Sequence, residues 1–254
     1  MLTNENYFDK ENQLKYFGSS QVKSFMECEA KTIAEIRGEF VREASDALLV
    51  GSYVDSHFEG TLGLFKAQHP EILKKDGTLK SQYTKADEII NRLEQDEMFM
   101  KYMGGEKQVI KTAELFGHPF KIKIDSYHEG KLIVDLKIMR DFEKVYKEGL
   151  GKVNFVDAWG YDIQAAIYQA VEGNGLPFVI AGATKEKVTD LDLFKIPQHK
   201  MDSALKLVEH VIDRFALIKS GDLEPVGCGK CDYCKSIKKI KRVRDLEELE
   251  ADDE

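Results

Sequence analysis

Apolar residues fall at helical spacing over the first hundred positions, switch to strict alternation near residue 108, and return to helical spacing after residue 157. After Gly18-Ser19-Ser20, the stripe Val22, Phe25, Met26, Ile33 and Ile36 predicts one helix that carries Cys28. Leu48, Val54 and Phe58 mark a second helix over 43–58, and a charged helix is expected over 81–102, with 63–78 irregular between them. Alternation over 108–116, 120–127 and 131–139 predicts three strands, the last two joined by a turn at His128-Glu129-Gly130. Ile163, Ile167, Ala170 and Val171 share a face of a helix over 157–172, which Gly173-Asn174-Gly175 stops. Strands over 178–183 and 188–196 and a long helix over 202–219 follow. The pattern is that of one α/β domain, α+β in its segregation, with a helical N-terminal portion over 1–105 and a core over 106–220. A cysteine loop over 221–240 and a charged tail over 241–254 complete it.

The chain has 254 residues, 43% of them hydrophobic, enough for one well-buried core. It holds no apolar run of about 18 residues, so no membrane helix is expected. The N-terminus is charged and lacks the apolar run of a secretory signal, so the expected compartment is the cytoplasm. A net charge of −8 argues against contact with nucleic acid, which needs Lys and Arg for its phosphates. Two features weaken that objection. The acidic run DLEELEADDE sits at the very end, and carboxylates that bind a cation stop repelling DNA once the cation is in place.

The hairpin around Gly130 carries the candidate chemistry. Phe120, Ile122 and Ile124 point one way and Lys121, Lys123 and Asp125 the other; on the next strand Ile133, Asp135 and Lys137 share a face. If Gly130 is the centre, Asp125 and Asp135 stand opposite each other, with side chains about 5 Å apart. Two carboxylates so placed repel, and a divalent cation between them removes the repulsion; hard oxygen ligands suit Mg²⁺ or Mn²⁺. Lys137, on the same face, is placed to assist an attacking water and to offset charge on a phosphate. The competing reading is three solvated residues on an exposed sheet face, the usual fate of an isolated D-x-K.

Asp125, followed by Asp135-Leu136-Lys137 on the next strand, resembles the PD-(D/E)XK nuclease motif, with Ile124 where Pro is frequent. The resemblance implies a restriction-endonuclease-like core, a mixed central sheet flanked by helices. It also implies metal binding by both acids and by the Leu136 carbonyl, and a Lys137 that aids the nucleophile. Gln164 and Tyr168, four apart on one helix face, resemble the Q-x-x-x-Y motif of RecB-type nucleases, which faces the active site and DNA. Gly51-Ser52-Tyr53-Val54-Asp55-Ser56-His57 resembles the G-x-x-x-H motif, whose His is a ligand. Here Asp55 stands four residues after Gly51, and His57 two beyond it; a helix points the two apart, and Asp55 is favoured.

Cys228, Cys231 and Cys234 form a C-x-x-C-x-x-C run whose thiolates can converge on one metal or cluster. A [4Fe–4S] cluster needs four thiolates, and Cys28 is the remaining cysteine, 200 residues upstream of Cys228. The layout resembles the iron–sulfur branch of RecB-type nucleases, where such a cluster clamps the two ends of the domain. Zinc is the second choice, and the alternative for Cys28 is a buried small apolar residue. The whole set is similar to the small phage-type relatives of the RecE exonuclease. That implies an enzyme hydrolysing linear double-stranded DNA from a free end in recombination or DNA processing. A single-strand annealing protein as partner and an oligomer belong to the same expectation. An endonuclease on the same core and a non-catalytic nucleic-acid-binding module are the alternatives.

Overall fold

A computed structural model describes residues 2–41, 45–240, 242, 243 and 245 of the chain. The expected helix start at 43 and most of the charged tail over 241–254 lie outside the described residues. The N-terminal portion consists of α1 (Lys10–Lys15), α2 (Ser19–Glu27), α3 (Glu29–Arg37), α4 (Asp46–Phe58), α5 (Leu62–Gln68), a 3₁₀ turn (Pro70–Ile72), α6 (Ser81–Glu94) and α7 (Glu97–Met103). The strands β1 (Glu106–Leu115), β2 (His118–His128) and β3 (Leu132–Met139) follow. A small hairpin of β4 (Val145–Lys147) and β5 (Gly151–Val153) leads through α8 (Phe155–Trp159) and α9 (Tyr161–Glu172) to β6 (Phe178–Thr184) and β7 (Leu191–Lys195). α10 (Gln198–Ser220) and α11 (Asp232–Ser236) end the described chain. No helix among the described residues is long and apolar enough to cross a membrane.

The main sheet is mixed, in the order β1-β2-β3-β6-β7. Only the β3–β6 pairing is parallel, since the long connection between them can cross over, whereas the others are adjacent antiparallel neighbours. Both faces are covered. Phe120, Ile122, Ile124, Ile133 and Phe178 pack with α2, α9 and α10 on one side. Val134, Leu136, Val179 and Ala181 pack with α4 and α6 on the other. This covering of both faces explains why β6 is buried along its whole length.

Three expected helices are broken, and one stretch expected to be irregular is helical. The helix expected to carry Cys28 is two helices, and Cys28 lies between them in extended backbone (φ −163°, ψ 105°). The run over 81–102 breaks at Asp96, whose carboxylate caps α7 by accepting from Phe99 N at 2.8 Å. The run over 157–172 breaks at Gly160, in the left-handed region (φ +61°). The stretch expected to be irregular after Gly63 contains α5 and the 3₁₀ turn. Apolar periodicity continues across each break, and so the breaks are silent in the pattern.

Candidate active site

The hairpin around Gly130 has the expected register: Ser126 pairs with Val134, Tyr127 with Ile133 and His128 with Leu132. The ladder stops there, one step before Asp125 would face Asp135. Beyond that point β2 and β3 part, and Phe17 takes the place of β3 on the β2 edge. Its N–H donates to the Pro119 carbonyl at 2.9 Å, and its carbonyl accepts from Lys121 N at 2.8 Å. The Lys123 carbonyl in the interval accepts the Tyr168 hydroxyl at 2.9 Å. Asp125 bridges the opening with its side chain, Oδ2 accepting from Leu136 N at 2.9 Å. Ile133 donates to the Pro177 carbonyl beside β6, so peptide groups alternate along β3 and that of Leu136 faces the opening towards β2. Its carbonyl oxygen is thereby presented to the same space as the two acids.

Strict alternation along β2 also fails at Asp125, since Ile124 and Tyr127 both join the core on the α9 side. Opposite Asp125 in the β1–β2 register stands Gln108, a non-glycine residue in the left-handed region (φ 55°). Gln108 Nε2 lies 3.4 Å from Asp125 Oδ1, and its side-chain Oε1 is buried without a hydrogen-bond partner. No sequence signal marks Gln108, because left-handed backbone is announced by Gly or Asn and not by Gln.

Asp135 is 2% exposed. Its Oδ1 accepts from Gln164 Nε2 at 2.6 Å, while Oδ2 makes no aligned hydrogen bond and ion-pairs with the Lys137 ammonium. Gln164 and Tyr168 are both buried and project from one face of α9, so each holds a protein group of the opening. Asp55 reaches the same cavity from α4; His57 points away and bonds Glu94 on α6 at 2.7 Å. The cavity, about 300 Å³, is lined by Asp55, Asp125, Asp135, Lys137, Gln164 and Tyr168 together with Lys23 and Lys123. A neighbouring cavity of about 360 Å³ shares Asp55 and Asp125 and adds Glu59 and Gln108. Another cavity, of about 650 Å³ beside α7, holds none of these acids.

Three carboxyls crowd this space. Burial, then Asp135, pushes the Asp125 carboxyl up to about 7, against the opposing pull of Lys137. Burial and Asp125 raise Asp55 well above the carboxylate range. Burial alone would lower Lys137, but Asp135 and Asp125 outweigh it and hold the ammonium charged. Lys23, missed by sequence reasoning because it lies beside the apolar stripe and reads as an ordinary solvated lysine, is pushed down to about 8 by burial and by Lys137. Its ammonium bonds the Trp159 carbonyl at 3.2 Å and lies over the Tyr161 ring. Hard oxygen donors with excess negative charge fit a Mg²⁺ or Mn²⁺ ion, which would be held by Asp125, Asp135 and the Leu136 carbonyl, with Asp55 beside them.

The cysteines form a second centre. All four Sγ atoms lie within 4.8 Å of one another, although Cys28 and Cys228 are 200 residues apart. Among the described residues no other group of three or more His, Cys, Asp or Glu has its ligand atoms gathered this closely.

Residues 18–237 match the family model of a PDDEXK-like domain of unknown function (DUF3799). The crystal structure of a protein from Eubacterium rectale, named as a putative exonuclease, is 43% identical, with a TM-score of 0.95 over 99% of this chain and 98% of that one. A structure of SSO0001 is 12% identical with a TM-score of 0.30, over 72% of this chain and 84% of that one, too remote to carry an argument. No curated protein matches the chain.

Proposed function

The chain belongs to this PDDEXK-like family, and on that premise we propose that it is a divalent-metal-dependent exonuclease hydrolysing phosphodiester bonds of linear double-stranded DNA. The observation that carries the reading is the parting of β2 and β3 at Asp125. It opens a cavity where Asp125, Asp135, the Leu136 carbonyl and Lys137 meet.

When bound there, the metal supplies a Lewis acid that polarises the phosphoryl oxygen and activates a water. The residues do the rest. Gln164 fixes one oxygen of Asp135 and leaves the other turned to Lys137 and the cavity. Lys137 keeps its proton and offers a fixed positive charge to the phosphate as negative charge grows on it. Tyr168 holds the Lys123 carbonyl and so keeps the β2 edge from closing onto β3. Lys23 and Lys123 stand at the cavity wall, where a phosphate backbone entering it meets positive charge. We take the chain as one nuclease domain, with 106–220 as its core and α2 and α4 completing the cavity.

The preference for free ends is supported by the similarity to the Eubacterium rectale protein. A recombination role, with a single-strand annealing protein as partner, rests on the motif resemblance alone. The test is degradation of linear against covalently closed circular duplex with Mg²⁺. Linear DNA should disappear while circles persist, and Asp135→Ala should be folded and inactive. Cutting of circles would make the enzyme an endonuclease. Activity retained by Asp135→Ala, or none in the wild type, would overturn the assignment.

A further inference from the structure

The cysteine centre stands apart from the cavity, and its dimensions discriminate between the two metals that its composition allows. The four cysteines are free thiols. Cys28 Sγ lies 3.6 Å from Cys234 Sγ and 3.8 Å from Cys231 Sγ, and Cys228 Sγ lies 4.0 Å from Cys234 Sγ. Four thiolates on one tetrahedral zinc, each at about 2.3 Å, stand about 3.8 Å apart along the edges of the tetrahedron. On a cubane each thiolate binds a different corner iron, which sets the sulfurs roughly 6 Å apart. The observed separations match the single ion.

The surrounding backbone holds the smaller size. Glu29, next to Cys28, receives a bidentate pair from Arg214 at 2.6 and 2.8 Å and also accepts from Val226 N at 2.7 Å. Ala30 N donates to the Val226 carbonyl at 3.2 Å. These bonds set the Cys28 segment against the chain just before Cys228. A Cβ on Gly227 would meet Cys234 Sγ at 3.0 Å, so the sulfurs are already packed against the loop that carries them. Backbone N–H groups of Cys228, Cys231 and Cys234 point at the sulfurs of Cys28, Cys228 and Cys231 at 3.4, 3.3 and 3.5 Å. Such donors offset thiolate charge. All four positions of the tetrahedron are taken by protein, the arrangement of a structural site without an open coordination position.

We propose that Cys28, Cys228, Cys231 and Cys234 hold one Zn²⁺ in a closed tetrahedral site, in place of the [4Fe–4S] cluster that the motif resemblance implies. The ion joins the break between α2 and α3 to the loop before α11, so its binding is coupled to closing the two ends of the chain.

The test is metal and sulfide analysis of full-length protein purified without oxygen from iron-replete cells, then offered Fe²⁺ and sulfide anaerobically. One zinc per chain, no acid-labile sulfide and a colourless protein after the iron treatment is the expected result. Co²⁺ exchanged into the site should give the intense visible bands of a tetrahedral tetrathiolate ion. Cys231→Ser should lose the zinc. Cys231→His, which replaces a thiolate by another zinc ligand, should keep one zinc and the fold. Iron and sulfide at about four each per chain with a brown chromophore, or a stably folded protein without stoichiometric metal, would overturn the proposal. None of these readouts depends on nuclease activity.

Discussion

Asp125 is the residue on which the site turns, because its carboxyl is pushed up to about 7 by burial and by Asp135. Between the ordinary carboxylate value near 4 and about 7, the folded chain binds more protons here than the unfolded chain does. Stability without added divalent cation should therefore fall as pH rises through that window and level off above it. Asp125→Asn keeps an acceptor for Leu136 N but cannot ionise, so its denaturation midpoint should fall less steeply and exceed that of the wild type at pH 8. Equal slopes for the two proteins would remove Asp125 from the electrostatic account. Lys137 has a different role, so Lys137→Ala should slow single-turnover cleavage by about 10²–10³-fold while affinity measured in Ca²⁺ stays near wild type. Gln164→Ala leaves a buried Asp135 oxygen without its donor and should cost about 1–3 kcal/mol in urea unfolding. The shared neighbourhood of Asp125, Asp135 and Lys137 was legible from strand alternation around Gly130, and the shared face of Gln164 and Tyr168 from helix spacing, whereas Asp55 was singled out only through a motif resemblance. Gln108 was not, since its left-handed backbone is imposed by the kink of β2 against β1 and leaves no mark in composition.

At the level of elements, the hairpin register followed from Gly130, but the parting of its strands did not. The parting depends on Phe17, more than a hundred residues upstream, exchanging backbone bonds with Pro119 and Lys121. Local periodicity carries no information about such a pairing. The same holds for Cys28, whose extended backbone is set by the loop it meets. Gly160 is the legible exception after the fact: it ends α8 and starts α9 in the left-handed region, and so sets which face of α9 meets Asp135. An added Cβ there would lie 2.9 Å from the Lys23 side chain. Gly160→Ala should destabilise by about 1–2 kcal/mol from backbone strain, with a further contribution from the displaced lysine. Guanidinium unfolding measures this, and an unchanged midpoint would show that α9 is not positioned by the break.

Across the whole molecule, a net charge of −8 sits with lysines gathered at one cavity, Lys23, Lys121, Lys123 and Lys137. Attraction to DNA is then local, and affinity should fall with salt. Lys123→Ala should reduce the slope of log K against log[salt] by about 0.9 if Lys123 neutralises one phosphate of duplex DNA. An unchanged slope would place the DNA path elsewhere. The acidic end of the chain, which dominates the charge balance, lies after Asp245 outside the described residues, and the bulk charge is therefore a poor guide to the cavity. The central claim is that the opening between β2 and β3 is a divalent-metal site. An anomalous difference map from a crystal soaked in Mn²⁺ tests it most directly. The expected peak lies at about 2.0–2.2 Å from Asp125, Asp135 and the Leu136 carbonyl, with the Lys137 ammonium displaced from Asp135. A map in which Lys137 still pairs with Asp135 and manganese is found elsewhere or nowhere, in protein that cleaves DNA, would contradict it.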